Sequence, residues 1–262
     1  MNSTKFILIA SFLLLCNISF AIKPSSTYRY TPDTLNLQYE DLRIDTADGA
    51  SIRVWHLPGK ESDHPVIISE SDAGNMGDWL YLGFYLQFYG ADVWLYDYRG
   101  FGSSSAFEVQ QPYLFYTEFI NDLSTVVDHV MEATGKTPVL FGISMGSIIS
   151  EAYLRSTDVP VCATIYDGYV CDPYVWKGRL AAIGKNVIIP EDYTGSKAVS
   201  SKPMPRLFIF AREDKLSRKR DIPRMKGSNT QTATFKCGHI QGFSKFPEQY
   251  AQLVTDFIEA CE

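Results

Sequence analysis

A serine flanked by two glycines is the strongest chemical signal in the sequence. The pentapeptide Gly142-Ile143-Ser144-Met145-Gly146 follows a short apolar run and precedes a helical pattern. Such a turn between a strand and a helix lifts a serine Oγ out of the sheet, and the glycines let neighbouring backbone pass close by. The alternative is a tight turn with an idle serine. The context favours a nucleophile, and we predict that Ser144 attacks a carbonyl group.

A nucleophilic serine needs a base, and the base needs an orienting carboxylate. In this arrangement the acid and then the histidine follow the serine along the chain. Of the four histidines, only His239 follows Ser144, and it comes just after the last predicted strand. Asp214 follows the preceding strand and is the predicted acid, although it could instead cap a helix suggested at 217–226. Other carboxylates after the serine remain as alternatives, namely Glu213, Asp167 and Asp172.

The elements that must position these residues alternate along the chain. After a strand-rich stretch from Leu35 and an Asp48-Gly49 hairpin signal, strands are predicted at 51–57, 65–69, 91–96, 138–142, 161–166, 207–211 and 232–236. Helices are predicted at 78–89, 116–134, 145–155 and 246–260. This order predicts an α/β fold with a mostly parallel sheet and helices on both faces. The irregular stretch 168–204 is predicted to be a short cap or loop of one domain, 22–262.

The N-terminal 21 residues have the pattern of a secretory signal peptide. Lys5 precedes an apolar run, and Ser19 and Ala21 place small residues where a signal peptidase cleaves. We predict cleavage after Ala21 and export to a periplasmic or extracellular location. An uncleaved anchor and a lipoprotein signal at Cys16 are the alternatives. No other stretch is long and apolar enough to span a membrane.

Composition excludes some partners. Hydrophobic residues make up 45% of the chain and charged residues 21%, so a packed core is expected. The net charge is −6 and no basic run occurs, so no nucleic-acid partner is expected. No cysteine or histidine cluster has metal-ligand spacing, and neither a metal nor an organic cofactor is predicted.

Four cysteines would remain after cleavage. Export permits disulfides without requiring them. The predicted topology places Cys162 and Cys261 at one end of the sheet, and Cys171 and Cys237 on the side of the serine. A Cys171–Cys237 bridge is therefore the candidate disulfide, and four free thiols are the alternative.

From about Leu35 to Ala260 the chain resembles the α/β-hydrolase superfamily. Within it, the chain is most similar to the Bem46-like and serine-aminopeptidase-like (S33) branch with a minimal cap. The resemblance rests on the serine pentapeptide, the Asp214 segment, Gly238-His239, and the stretch from Trp94 to Ser103. It implies an eight-stranded sheet and a Ser144-His239-Asp214 triad, and it says little about substrate.

One loop departs from the family pattern. The family usually has His-Gly after the third strand, where this chain has Glu70 and Ser71, and Asp72 falls at the position of the oxyanion residue. The backbone N–H groups of Asp72 and Met145 are the predicted oxyanion donors. Two carboxylates beside a developing negative charge would oppose catalysis unless their side chains turn away.

Other conspicuous side chains have structural interpretations. Asp97 and Arg99 are expected to shape the turn after their strand through a local ion pair or hydrogen bonds. The aromatic residues of the irregular stretch are expected either to line an acyl pocket or to pack its loop; they are Tyr169, Tyr174, Trp176 and Tyr193.

The sequence thus predicts an exported serine hydrolase of esters or thioesters that forms an acyl-enzyme. Its expected partner is a small acyl substrate, including lipid-like ones, and its oligomeric state is unknown. The alternatives are an S33-type peptidase or amidase and a catalytically weak or inactive relative that acts as a binding module.

Overall fold

An eight-stranded sheet forms the centre of the protein. The computed structural model describes residues 21–60, 63–109, 112–170, 172–191, 202–221 and 229–261. The strands of this sheet are β2 Glu40–Asp45, β3 Ser51–Leu57, β4 Val66–Ser69, β6 Val93–Tyr96, β7 Val139–Ile143, β8 Ala163–Asp167, β9 Arg206–Ala211 and β10 Thr230–Phe235. Their spatial order is β10-β9-β8-β7-β4-β6-β3-β2. Only β3 pairs antiparallel with its neighbours, so the predicted, mostly parallel sheet is confirmed.

Helices cover both faces of the sheet. They are α1 Leu80–Phe88, α2 Glu118–Thr134, α3 Met145–Ser156, α4 Pro173–Ala181, α5 Gly242–Lys245 and α6 Pro247–Glu259. Apolar residues of α2 and α3 pack into one core cluster, and those of α1 and α6 pack into a second on the opposite face. Every residue of β4, β6, β7 and β8 is buried. Their continuous apolar runs are typical of strands that are covered on both sides.

Parallel order brings six strand ends to one edge of the sheet. The carboxyl ends of β4, β6, β7, β8, β9 and β10 lie side by side in register. Side chains that follow these strands therefore meet there, although they are far apart in sequence. Ser144 follows β7, Asp214 follows β9 and His239 follows β10.

The hairpin between β2 and β3 is longer than the predicted two-residue turn. Asp45 pairs with Ser51, so the loop spans 46–50. Asp48 binds the guanidinium of Arg99 with both carboxylate oxygens, at 2.8 and 2.9 Å. The loop thus joins the antiparallel edge to the turn after β6, a long-range contact that the local Asp48-Gly49 signal could not reveal.

Asp97 and Arg99 do shape the turn after β6, but their partners are not local. Asp97 accepts a hydrogen bond from the Met76 N–H at 2.8 Å and another from the Tyr28 hydroxyl. Besides Asp48, Arg99 binds the buried Asp122 of α2 through its Nε at 2.8 Å. The expected ion pair between neighbours is therefore replaced by contacts to other elements.

Two further features differ from the sequence prediction. The stretch predicted to be irregular contains α4, which begins with Pro173 after Asp172, whose carboxylate accepts the Tyr174 N–H at 2.9 Å. Residues 192–201 of that stretch lie outside the described residues. A small parallel pair, β1 Lys23–Pro24 and β5 Ala73–Gly74, was not predicted.

No helix within the described ranges is long and apolar enough to cross a membrane. Residues 1–20 of the predicted leader are also outside the described residues.

Candidate active site

Ser144 occupies a strained turn between β7 and α3. Its φ is 50° and its ψ is −108°, a conformation that non-glycine residues rarely adopt. Its N–H donates to the Asp167 carbonyl at 2.8 Å, which holds the turn. A Cβ added to Gly142 would lie 2.7 Å from the Gly146 oxygen, and one added to Gly146 would lie 2.1 Å from the Ser69 oxygen. Close backbone approach therefore requires both glycines.

The serine, histidine and aspartate predicted from the sequence meet at this edge. The distance from Ser144 Oγ to His239 Nε2 is 3.0 Å, and His239 Nδ1 lies 2.6 Å from Asp214 Oδ2. The Asp214 side chain is 1% exposed and that of His239 is 24% exposed. The carboxylate is thus shielded from water, while the imidazole faces the cavity described below. These three residues can transfer a proton from the serine hydroxyl to the imidazole, which the buried carboxylate orients.

Asp214 performs two tasks with its two oxygens. Oδ2 faces His239, while Oδ1 accepts the N–H groups of Leu216 and Ser217 at 2.7 and 3.2 Å. The predicted alternative, that Asp214 caps the following segment, is therefore compatible with the contact to histidine. These two N–H bonds fix the carboxylate, so its orientation does not depend on the histidine.

The alternative acids lie elsewhere. Glu213 is exposed, and Asp172 caps α4. Asp167 is buried and accepts the Tyr250 hydroxyl at 2.8 Å. Burial raises the pKa of Asp167 to about 6. Asp214 is thus the acid that contacts His239.

The remaining histidines have other partners. His56 lies between Glu40 and Asp92 at 3.1 and 2.7 Å and stacks on Trp94. His64 Nδ1 contacts the Thr137 carbonyl at 2.9 Å. His129 packs edge-on against the same Trp94. Each is remote from the edge that carries Ser144.

A glycine that the sequence analysis did not single out makes room for the imidazole. Gly168, which follows β8, has φ +67°, and a Cβ there would lie 2.6 Å from His239 Cε1. The next residue after the histidine, Ile240, also has a positive φ of 49°. The position of the His239 side chain therefore depends on two residues with positive φ, Gly168 and Ile240. Only the first of them, a glycine directly after a predicted strand, could have been recognised from the sequence.

The two predicted oxyanion residues line the same cavity as Ser144 and His239. Met145 is the first residue of α3, so its N–H has no acceptor within the helix. Asp72 follows β4 and also lines the cavity. Burial raises the pKa of Asp72, while its own backbone N–H and the charges of His239 and Lys185 oppose that rise.

Glu70 does not join Asp72 in the cavity. Its side chain is 1% exposed and its carboxyl oxygens have no hydrogen-bonding side-chain partner among the described residues. Burial, reinforced by the charges of Asp97 and Asp78, raises the pKa of Glu70 well above its ordinary value. Of the two carboxylates expected to oppose an oxyanion, only Asp72 lies where it could do so.

The cavity has a volume of about 180 Å³ and a mostly apolar wall. Aliphatic side chains of that wall are Leu114, Ile148, Val170, Leu180, Val187 and Leu216. The Trp176 ring adds an aromatic face, 5.4 Å from the His239 ring. Of the other aromatic residues considered, Tyr169 packs in a separate cluster with Phe208, and Tyr174 is 54% exposed. Tyr193 lies outside the described residues.

Three cysteines among the described residues are free thiols. Cys237 is a buried free thiol, and Cys162 and Cys261 are free thiols at the opposite end of the sheet. Cys171, the other member of the candidate bridge, lies outside the described residues. Within the described part of the chain, no group of three or more His, Cys, Asp or Glu residues could hold a metal ion.

Comparisons with known proteins place the chain in a family. A family model described as serine aminopeptidase, S33, matches residues 66–176. The uncharacterized membrane protein YNL320W of Saccharomyces cerevisiae is 32% identical over 201 residues, which cover 71% of this chain and 66% of that protein. The α/β hydrolase domain-containing protein WAV2 of Arabidopsis thaliana is 28% identical over 152 residues, 55% of this chain and 46% of that protein. The chain thus spans about half to two thirds of the length of these relatives.

A solved structure shows the same fold. The esterase Pf2001 of Pyrococcus furiosus superimposes with a TM-score of 0.71 over 91% of this chain and 99% of that chain, at 19% sequence identity. The sheet order, the strained serine turn and the sequence relatives agree. This chain belongs to the α/β-hydrolase superfamily.

Proposed function

We propose that the protein is a serine hydrolase that cleaves a small ester or thioester through an acyl-enzyme intermediate. The observation that carries the proposal is the contact chain from Ser144 Oγ through His239 to Asp214, at 3.0 and 2.6 Å, on a serine with φ 50°. A strained backbone conformation costs folding free energy, and its alignment with a base favours a chemical role for this turn. Family membership supports a hydrolytic role but leaves the reaction open.

The proposed reaction has two halves. Ser144 Oγ attacks the substrate carbonyl carbon while His239 Nε2 takes its proton, and Asp214 stabilises the resulting imidazolium. The N–H groups of Met145 and Asp72 bind the oxyanion. Collapse of the tetrahedral intermediate expels the leaving group, which receives the proton from His239. Water then attacks the acyl-enzyme with His239 as the base, and Ser144 is released.

The cavity supports a short acyl group. An engineered cavity of about 150 Å³ holds benzene, whereas pockets for drug-sized ligands start at about 300 Å³. A cavity of about 180 Å³ therefore fits an acyl chain of a few carbons better than a long one. Two structural neighbours are esterases, which favours ester cleavage. The S33 description of the family model keeps amide or peptide cleavage as the alternative.

Export forms part of the proposal. The predicted leader would direct the protein across a membrane and be removed after Ala21. Mass spectrometry of the protein recovered from the native host tests this step. A mature N-terminus at Ile22 is the expected result, and an intact Met1 start would contradict it.

A fluorophosphonate probe tests the nucleophile. We expect stoichiometric labelling of the native protein and none of Ser144→Ala. Ser150→Ala is the matched control, because Ser150 is a buried serine of the same helix whose hydroxyl has no partner among the described residues. This variant should label like the wild type. A native protein that stays unlabelled beside a reactive reference esterase would refute the proposal.

A second candidate function is a non-catalytic binding module, and the presence of an acidic residue, Asp72, in the cavity wall favours it. Hydrolysis of p-nitrophenyl esters of increasing acyl length by wild type and Asp72→Asn separates the two. Activation on removal of the charge would indicate a working site that Asp72 damps. Inactivity of both forms on every ester, together with absent labelling, would favour the binding module.

A further inference from the structure

The residues around the predicted cleavage site, 21–25, lie against the loop 70–75 that follows β4, called here the oxyanion loop. Ala21 lines the cavity that contains Ser144, and Ile22 is 1% exposed. The Lys23 N–H donates to the Asp72 carbonyl at 2.7 Å, and Lys23 pairs with Ala73 in the small parallel pair. These contacts hold the chain against the oxyanion loop at the predicted cleavage site.

More distant contacts fix this segment further. The Ser25 N–H donates to the Gly74 carbonyl at 2.8 Å. The Asn75 side chain donates to the carbonyls of Ser25 and Thr27 at 3.0 and 2.9 Å. The segments 23–27 and 72–75 therefore form one hydrogen-bonded unit. Loss of residues before Ile22 leaves these bonds intact.

Asp72 lacks a side-chain partner in this setting. Among the described residues, no side chain forms a hydrogen bond with its carboxyl, and the cationic groups that influence it are His239, Lys185 and Lys23. The Asp72 backbone N–H is the group proposed to bind the oxyanion. A carboxylate without a bonded partner on the same residue places a negative charge near that donor.

We propose that removal of the leader after Ala21 creates an Ile22 α-ammonium that pairs with the Asp72 carboxylate and so completes the oxyanion loop. The inference rests on the proposed serine hydrolase function and on the predicted cleavage. The ammonium is a positioning group, because it acts through Asp72 and does not contact the substrate. Before cleavage, an uncharged peptide group occupies its place, and the Asp72 carboxylate of the precursor has no hydrogen-bonded cation among the described residues.

Geometry and charge both support this pairing. Ile22 N adjoins Ala21, which is part of the cavity wall, and precedes by one residue the N–H that already binds Asp72. Consecutive Cα atoms are about 3.8 Å apart, so the new ammonium starts close to the backbone of Asp72, whose side chain can turn towards it. The buried Ile22 side chain anchors it. Departure of Ala21 also vacates part of the wall, which leaves room for the ammonium.

The test compares two N-termini in two backgrounds. One preparation begins at Ile22, released from a fusion by a protease that leaves no extra residue. The other retains Ala21 and a short neutral extension before it. Each is made with Asp72 and with Asp72→Asn, and kcat/KM for p-nitrophenyl butyrate is measured together with the melting temperature and fluorophosphonate labelling.

We expect the Ile22 form to exceed the extended form by about 100-fold in kcat/KM, the effect of losing one oxyanion donor. In the Asp72→Asn background, the two N-termini should differ by no more than about twofold, as expected of uncoupled changes. This rescue also shows that the extension leaves the fold intact. Equal activity of the two N-termini with Asp72 present would overturn the inference while the proposed function stands. Absent labelling and hydrolysis in all four proteins would overturn both.

A pH profile provides an independent readout. An α-amino group ordinarily titrates at about 7.7–8.0, and pairing with a carboxylate raises that value. The kcat/KM of the Ile22 form should therefore decline as the pH rises through the pKa of the ammonium, and the Asp72→Asn variant should lack this limb. Lys185→Gln should retain the limb. Loss of the limb in Lys185→Gln would assign it to the lysine and overturn the inference.

Discussion

Replacement of Asp214 by asparagine separates the two tasks of that side chain. The asparagine oxygen can still accept the N–H groups of Leu216 and Ser217, which Asp214 Oδ1 accepts at 2.7 and 3.2 Å. Its amide nitrogen then faces His239 Nδ1 and donates to it. The imidazole proton is consequently displaced to Nε2, which points at the serine hydroxyl and can no longer accept a proton.

The expected loss is large for activity and small for stability. The same exchange within a Ser-His-Asp triad lowers kcat by about 10⁴-fold, or about 5 kcal/mol of transition-state stabilisation. Because the cap is preserved, the free energy of unfolding should change by less than about 1 kcal/mol. Asp214→Ala, which also removes the cap, should cost about 1 kcal/mol more.

The assay measures kcat for p-nitrophenyl butyrate and the midpoint of urea unfolding for both variants. Asp172→Asn is the matched control, because Asp172 caps α4 through the Tyr174 and Val175 N–H groups and forms no hydrogen bond with a histidine among the described residues. It should retain wild-type kcat. Retention of more than about a tenth of the wild-type kcat by Asp214→Asn would refute the assigned role of the carboxylate.

Three further predictions concern the turn, a buried acid and the cavity. Gly146→Ala should destabilise the protein by about 1–3 kcal/mol in thermal unfolding, because its Cβ would lie 2.1 Å from a β4 carbonyl oxygen, whereas Gly178→Ala meets nothing within 4 Å and should not destabilise it. Burial raises the pKa of Asp167 to about 6, so the folded state favours the protonated carboxyl. This contribution to stability is fully present below about pH 4 and is lost as the pH rises through 6. Relative to Asp167→Asn, the free energy of unfolding should fall by roughly 2–3 kcal/mol from pH 4 to 7, and a constant difference in urea titrations would contradict this. Trp176→Ala should shift the preferred p-nitrophenyl ester from short to longer acyl chains, with the exposed Tyr174→Ala as control, and an unchanged chain-length profile would show that Trp176 does not limit the cavity.

Local patterns and chain order were sufficient to predict the sheet, most helices and the meeting of Ser144, His239 and Asp214. A glycine-flanked serine between a strand and a helix is a local signal, and the order of parallel strands brings distant residues to one edge. Only one histidine follows the serine, so little choice remained.

Other features depend on tertiary contacts that leave a weak trace in sequence. The pair β1 and β5 has two residues in each strand and joins segments about fifty residues apart, which is too short for a periodic pattern. Helix α4 does carry an Asp172-Pro173 start signal, but its apolar face is weakly periodic. Glu70 is buried and Asp72 lines the cavity, a difference that depends on tertiary packing and that the local sequence does not reveal.

The central claim is that Ser144 forms a covalent acyl-enzyme. Rapid quenching of the reaction with p-nitrophenyl acetate, followed by intact and peptide mass spectrometry, tests it directly. We predict a burst of p-nitrophenol and one acetyl group on the peptide that carries Ser144, with neither in Ser144→Ala. Hydrolysis without an acetyl group on that serine, or with one on another residue, would contradict it.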